Sequence, residues 1–358
     1  MISIYLGQIS KIISKRGKIS IVEIEAEGEK AAAINYNEIT GEVEEGDLVY
    51  VNRTARLLNL GTGGYDFIIA NLKYNKFDNI GKGHIMKLRY TPLQVNLLTM
   101  EEETSPYHQE FDKFKNLNGF PVIIGELHSM VTPSALVLKK LLPDIKITYI
   151  MTDGGALPLP ISNTVYKLKG MGVLDATITI GHAFGGDYEC VNIYTALIAS
   201  KEILKSDVAI VSMGPGIVGT GTKYGFSGVE QAYIIDAVNK MGGKPVLIPR
   251  ISFKDARGRH QGISHHTITV LELCYSSSVI TFPNMEEEKE RLVRNQIASN
   301  PVFSRFDVRF IDSELTGDCL REMDFDVTTM GRGYEEEKEF FNACGAASIY
   351  VATELLGI

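Results

Sequence analysis

From residue 120 onward the chain repeats one pattern, in which a short apolar run is followed by a polar or glycine-rich loop and then by an amphipathic helix. PVIIGEL is followed by TPSALVLKKLL, for example, and DVAIVSM is followed by SGVEQAYIIDAVNKMGG. Uninterrupted β-branched strands that alternate with helices are typical of a parallel sheet covered on both faces. The sequence therefore predicts a Rossmann-like α/β domain over residues 119–358, with six such strands and FDVRFID as a seventh.

The first third of the chain has a different pattern. Residues 1–90 contain short strand-like runs separated by glycines, which predicts a small N-terminal β-barrel. Its polar positions form no cluster of titratable groups, which favours a docking or oligomerisation module, and a homo-oligomer is one option. Residues 91–118 are predicted to form a helical connector, because Thr91-Pro92 and Ser105-Pro106 each place a capping residue before a proline.

Charge and composition exclude several classes of partner. The 36 basic and 44 acidic side chains give a net charge of −8, which opposes binding to nucleic acid or to an anionic membrane. No apolar run has the length of a membrane helix, and the N-terminus lacks the order of a signal peptide. The four cysteines form no CxxC pair, so buried thiols in a reducing compartment are expected. The sequence predicts a cytoplasmic protein.

Reactive side chains gather where the predicted strands end. In open parallel sheets, ligands bind at the carboxyl ends of the strands, because the outgoing loops and helix N-termini meet there. The residues predicted at this edge are Glu126, His128, Asp153, His182, Asp187, Gly214, Gly216, Gly219, Thr220, Gly221, Thr222, Arg250, Arg257, Arg259, His260 and His266. With His265, five of the seven histidines belong to this edge, and the loops of the opposite edge contain none. The pattern predicts one pocket above the sheet.

The glycine-rich stretch MGPGIVGTGTKYGFSG contains a GxGxxG at Gly214, Gly216 and Gly219. A dinucleotide fingerprint needs a tight turn into a helix and an acidic residue at the end of the next strand. Here the helix is predicted to start near Ser227, and VLIPR ends in Arg250. The lysine is also displaced from the P-loop spacing. Two interpretations stay open: a loop whose backbone amides bind an anion, and a plain structural turn.

The segment RGRHQGISHHT, residues 257–267, combines arginines with histidines. Ser264 is predicted to cap a helix whose first turn holds His265 and His266. Because adjacent helical positions do not share a face, we expect only His266 of this pair to reach a ligand. The alternative is that His265 packs, His266 caps the helix and the arginines are solvated.

Three chemical roles follow for this set of residues. The predicted catalytic residues are His128, His182, Asp187, His260 and His266, and the predicted metal ligands are Glu126, Asp153 and Asp187. Gly214, Gly216, Gly219, Thr220, Gly221, Thr222, Arg250, Arg257 and Arg259 are predicted to bind an anionic cofactor or substrate. No spacing matches a closed zinc signature, and Mg²⁺ held mainly by a substrate phosphate fits the arginine excess better than Zn²⁺ does.

Six phrases together resemble one known family: GHIMKLRYTPLQ, GELHS, GHAFGGD, MGPGIVGTGT, RHQGISHHT and TMGR. The family is bacterial, mainly Gram-positive, and is known as a domain of unknown function, number 3866 of that series. The resemblance covers nearly the whole chain and implies a cytoplasmic bacterial protein, but it implies no reaction.

The sequence favours a hydrolase or transferase that acts on a phosphorylated or nucleotide-like metabolite, the small-molecule anion expected as its partner. One alternative is a metabolite-binding sensor that signals through the N-terminal barrel. A second alternative is a dinucleotide-dependent oxidoreductase, which requires the glycine loop to bind the dinucleotide.

Overall fold

A computed structural model describes residues 1–60 and 64–357, which form two compact units, Met1–Leu97 and Leu98–Ile358. The strands are β1 (Ile4–Arg16), β2 (Ile19–Ala26), β3 (Glu29–Tyr36), β4 (Leu48–Asn52), β5 (Asp66–Asn71), β6 (Ile85–Lys87), β7 (Val95–Leu97), β8 (Pro121–Ile124), β9 (Ile147–Thr152), β10 (Ala176–Thr179), β11 (Tyr188–Glu189), β12 (Val208–Met213), β13 (Lys244–Leu247), β14 (Ile251–Ser252), β15 (Gly262–Ile263), β16 (Val279–Pro283) and β17 (Asp307–Ile311).

The α-helices are α1 (Asn37–Thr40), α2 (Thr54–Leu57), α3 (His108–Lys113), α4 (Val131–Leu141), α5 (Asn163–Gly170), α6 (Ile193–Ile198), α7 (Gln231–Lys240), α8 (His265–Leu273), α9 (Glu287–Ser299), α10 (Leu315–Arg321) and α11 (Lys338–Tyr350). One turn of π-helix extends α6 over Ala199–Ile203, and another extends α11 over Val351–Leu355.

The first unit contains a closed five-stranded barrel in the order β1-β2-β3-β5-β4, with β4 pairing back onto β1. Apolar side chains alternate along the strands and fill the barrel, as Val22 and Ile24 do on β2 and Val49 and Val51 do on β4. The small N-terminal β-barrel predicted from the sequence is confirmed. The short strands β6 and β7 pair with each other as a hairpin.

The second unit is built on eight strands in the order β11-β10-β9-β12-β8-β13-β16-β17, and every neighbouring pair is parallel. The predicted seven strands are all present, and the two-residue β11 adds the eighth. β8 lies between β12 and β13, although these strands are far apart in the sequence. The residues that leave these three strands therefore meet at one edge.

Helices cover both faces of this sheet, as the strand–helix alternation predicted. One core contains side chains of α6, α7, α8 and α9. The other contains side chains of α4, α5, α10 and α11. The central strands contribute to both cores because their side chains alternate between the faces, with Val122 and Ile124 on one side and Ile123 on the other. The sheet is thus buried on both faces, which explains its continuous apolar strands.

The segment from 91 to 118, predicted as a helical connector, contains strand β7 and the six-residue helix α3. The division into compact units falls inside this segment, after Leu97. Cys190, Cys274, Cys319 and Cys344 are buried free thiols, as expected. None of the helices within the described ranges combines the length and the apolar character required to cross a membrane.

Candidate functional site

The edge formed by the carboxyl ends of β8 and β13 holds a buried ion pair. Glu126 follows β8 and Arg250 follows β13, and the arginine Nη1 lies 3.2 Å from the Glu126 Oε1. The two residues are only 1% and 6% exposed. Burial disfavours the charged carboxylate, but the hydrogen bond from His266 and the charge of Arg250 outweigh it and lower the pKa of Glu126.

Three histidines converge beside this ion pair. His260 lies in a 3₁₀ turn over Gly258–His260, while His265 and His266 begin helix α8. One ring nitrogen of each histidine lies within 4.8 Å of the corresponding nitrogens of the other two. His266 Nδ1 is 2.5 Å from Glu126 Oε1, and its ring stacks on Phe226 with centroids 3.7 Å apart. The cluster thus joins the exits of β8, β12 and β13.

The prediction that only one of His265 and His266 reaches the site is wrong, because their ring centroids are 4.4 Å apart and both rings face His260. The rule that adjacent helical positions do not share a face applies to the interior of a helix. These residues occupy the first two positions of α8, where Cα–Cβ bonds tilt towards the N-terminus and no preceding turn separates the side chains. The predicted cap is confirmed, since the Ser264 side chain accepts a hydrogen bond from the His266 amide.

The surroundings of His260 and His265 favour neutral imidazoles. Burial, with smaller contributions from the charges of Arg250 and Arg257, lowers the pKa of His260 to about 3. Burial also lowers the pKa of His265, with smaller effects from His266 and Arg259. Neutral rings retain a nitrogen lone pair, which can bind a metal ion or accept a proton.

The three predicted anion-binding arginines have different surroundings. Arg250 pairs with Glu126. Arg257 forms a bidentate pair with Asp255, in which Nε–Oδ1 is 2.9 Å and Nη2–Oδ2 is 2.6 Å. Arg259 is exposed and forms no ion pair with any residue that the structure describes. Of the three, Arg259 therefore has the charge most available to a bound anion.

The glycine-rich loop folds as a hairpin next to Arg259. Its residues Gly216, Gly219, Thr220, Gly221 and Thr222 are exposed, whereas Gly214 is buried. A Cβ built on Gly221 lies 3.5 Å from the Arg259 Nη2, so the guanidinium packs against this turn. The Thr220 amide donates to the Gly225 carbonyl and the Val218 amide to the Ser227 hydroxyl. These amides are used within the loop, and the loop reaches α7 through a 3₁₀ turn over Ser227–Glu230 instead of a tight turn.

His128 lies apart from the three-histidine cluster. Its Nε2 is 2.7 Å from the Ser162 hydroxyl and its Nδ1 is 3.1 Å from the Tyr149 hydroxyl. Tyr149 belongs to the core on the α4 face, whereas Phe226 of the cluster belongs to the core on the α7 face. Burial lowers the pKa of His128 to about 4. His128 lines a separate cavity of about 260 Å³ together with residues 213–217 and 326–330.

Asp153 and His182 form a second separate group at the ends of β9 and β10, where the Asp153 Oδ2 accepts a hydrogen bond from the His182 amide at 2.9 Å. Asp187 lies at the opposite end of β10. It accepts hydrogen bonds from the Thr177 amide and hydroxyl and pairs with Lys169 at 2.7 Å. After β10 the chain turns back, so that β11 can run parallel to β10, and this return carries Asp187 to the amino end of the sheet.

Sequence reasoning placed His265 at this edge but left it out of the predicted site residues, and it missed Phe226 and Glu230. Tandem histidines directly after a capping serine are the signal that could have included His265. Glu230 is buried in the turn before α7 and accepts a hydrogen bond from the Thr152 hydroxyl. Burial, with a smaller contribution from the negative charge of Asp153, raises the pKa of Glu230 to about 7. No local pattern in the sequence indicates this burial.

Comparisons with known proteins give a family but no activity. The model of one protein family, described as Protein of unknown function (DUF3866), matches residues 32–348. No curated protein matches the chain, and no solved structure matches it.

Proposed function

The chain belongs to the DUF3866 family, whose function is unknown, and we propose that it is an enzyme, a hydrolase or group transferase that acts on a phosphorylated or nucleotide-like metabolite. The observation that carries the proposal is the position of Arg259, an exposed guanidinium without a carboxylate partner among the described residues, beside a cluster of three histidines of which two are buried. An uncompensated arginine is suited to a phosphate, which it binds through two parallel hydrogen bonds.

Further support comes from the groups around Arg259. The hydroxyls of Thr220 and Thr222, 2.9 Å apart, lie in the same loop as Gly221, against which Arg259 packs. Hydroxyls can donate to phosphate oxygens, and the neutral imidazoles of His260 and His265 can accept a proton during hydrolysis or transfer. The predicted roles of Arg250 and Arg257 in anion binding are weakened, because Glu126 and Asp255 already balance their charges.

We expect Arg259→Ala to abolish the binding of phosphorylated compounds, because it removes the proposed phosphate contact without breaking an ion pair. A thermal-shift panel of nucleotides, sugar phosphates and inorganic phosphate tests this. A compound present at 100 times its Kd should add about 2.7 kcal/mol to the free energy of unfolding of the wild-type chain. Arg321→Ala is the matched control, since Arg321 is an exposed arginine on α10.

Turnover then separates an enzyme from a sensor. Each stabilising compound is incubated with the protein, and its products are analysed by chromatography and by phosphate release. An enzyme consumes the compound, and the His260→Ala variant loses this activity. Tight binding without any conversion would favour the metabolite sensor and would contradict the enzyme. If no phosphorylated compound shifts the unfolding midpoint, or if Arg259→Ala responds like the wild type, the phosphate assignment is wrong.

A further inference from the structure

The three imidazoles of His260, His265 and His266 are fixed on short, well-anchored elements. His265 and His266 are held by the first turn of α8, and His260 by the 3₁₀ turn that precedes it. The ring of His266 is confined between Phe226, on which it stacks, and the ion pair of Glu126 and Arg250. A site held this firmly brings its donor atoms together before any ligand binds.

The hydrogen bonds at Nδ1 indicate which ring nitrogens are available. His266 Nδ1 is 2.5 Å from the Glu126 carboxylate, which only accepts, so this nitrogen carries the proton. Arg250 Nη1 is also 3.2 Å from the same nitrogen, but a guanidinium only donates, so the contact with Glu126 decides the tautomer. In the neutral ring, His266 Nε2 therefore keeps its lone pair. His260 Nδ1 is 2.7 Å from the Ser264 hydroxyl, which can accept a hydrogen bond from the protonated nitrogen and so leave the lone pair on Nε2.

Two buried polar atoms of the cluster have no hydrogen-bond partner: His265 Nε2 and Glu126 Oε2. Buried polar atoms are nearly always satisfied in native proteins, and leaving one unpaired destabilises the fold. Both atoms can donate an electron pair. Their position in one cluster points to a ligand that accepts electron pairs, which is the property of a cation.

We propose that His260, His265 and His266 bind a single divalent transition-metal ion of the zinc type, with Glu126 and Ser264 as the outer partners that orient two of the rings. Imidazole nitrogens select zinc and related ions over magnesium, which prefers oxygen ligands. A histidine ligand that donates its other N–H to a carboxylate is the common arrangement at zinc sites. Ligand nitrogens of a tetrahedral zinc ion lie roughly 3.3 Å apart. In the structure the three histidine nitrogens lie within 4.8 Å of one another, so small rotations of the rings would bring them to the distances that zinc requires.

The number of protein ligands distinguishes a catalytic zinc site from a structural one. Structural zinc sites are usually closed by four protein ligands, whereas catalytic sites use three and leave the fourth position for water or substrate. The proposed site belongs to the second type. The ligand set differs from the one predicted from the sequence, because Asp153 and Asp187 lie elsewhere and Glu126 supports the ring of His266.

Metal binding is tested directly on the untagged full-length chain after treatment with a chelator. Isothermal titration with Zn²⁺ should give one ion per chain for the wild type. His265→Ala should weaken the affinity by more than the roughly 10–100-fold that loss of an outer partner costs, and Glu126→Gln should weaken it within that range. His182→Ala is the matched control, because His182 is a partly exposed histidine near another strand end, and it should bind Zn²⁺ like the wild type.

Titration with Co²⁺ gives an independent readout, since a tetrahedral nitrogen site produces intense visible absorption and adventitious surface binding does not. Circular dichroism confirms that each variant is folded. The proposal is overturned if the wild type binds no stoichiometric Zn²⁺, or if His265→Ala binds it equally well. These measurements use no substrate, so they stand apart from the proposed function: metal binding can hold while the phosphate panel fails, and the reverse.

Discussion

Replacing Arg250 with methionine lowers the free energy of unfolding of the α/β unit by about 3–5 kcal/mol, the usual cost of removing one partner of a buried ion pair. The substitution leaves the Glu126 carboxylate in a site where it is 1% exposed and where His266 is its only remaining hydrogen-bond partner among the residues that the structure describes. Methionine keeps most of the volume of the side chain, so cavity formation contributes little. Urea denaturation in the presence of a chelator measures the effect without a contribution from bound metal.

The double variant Glu126→Gln/Arg250→Met identifies the cause. Because it removes both charges, it should recover most of the stability lost in Arg250→Met. Arg309→Met is the surface control: Arg309 pairs with Asp307, both side chains are about half exposed, and loss of such a pair costs about 0–1 kcal/mol. If Arg250→Met is as mild as Arg309→Met, or if the double variant is less stable than the single one, the buried pair does not have the energetic role assigned to it.

Glu230→Gln becomes progressively more stable than the wild type as the pH rises from about 4.5 to about 7. The folded protein raises the pKa of Glu230 from 4.5 to about 7, so it holds the proton more tightly than the unfolded chain does. This contribution to stability is fully present below pH 4.5 and is lost as the pH rises through the folded-state pKa. Glutamine does not ionise and can still accept the hydrogen bond from Thr152. The difference between variant and wild type should reach roughly 3 kcal/mol.

The measurement is the free energy of unfolding in urea at several pH values, compared between the wild type and the variant. The comparison cancels the contributions that the other titrating groups make to the pH dependence of stability. Glu288→Gln is the control, since Glu288 is exposed on α9, and its difference from the wild type should stay nearly constant. A difference for Glu230→Gln that is equally flat would show that the buried carboxyl is not proton-linked to folding.

These predictions separate the roles of two buried carboxyl groups at one sheet edge. Glu126 has two partners that stabilise its charge, whereas Glu230 has a hydroxyl partner and a nearby aspartate. The first therefore acts as a fixed anion that orients His266 and Arg250. The second exchanges a proton near neutral pH, the behaviour expected of an acid or base in a reaction.

Much of the fold could be predicted from the sequence because its signals are local. Strand and helix positions follow from apolar periodicity over a few residues, and all seven predicted strands of the α/β unit are present. The rule that ligands meet the carboxyl ends of parallel strands then directed attention to Glu126, Arg250, His260 and His266, which the structure brings together.

Other parts of the site were decided by tertiary structure alone. The strand order places β8 next to β13 and so brings Glu126 within reach of Arg250. Nothing in the sequence near either residue indicates this pairing. The return of the chain after β10 carries Asp187 to the opposite end of the sheet. The start of α8 turns His265 towards His260. Apolar periodicity shows which way a side chain faces relative to its own backbone. Charges and metal ligands, however, act over a few ångströms between segments that are distant in the sequence. Only the packing of the whole chain fixes those distances.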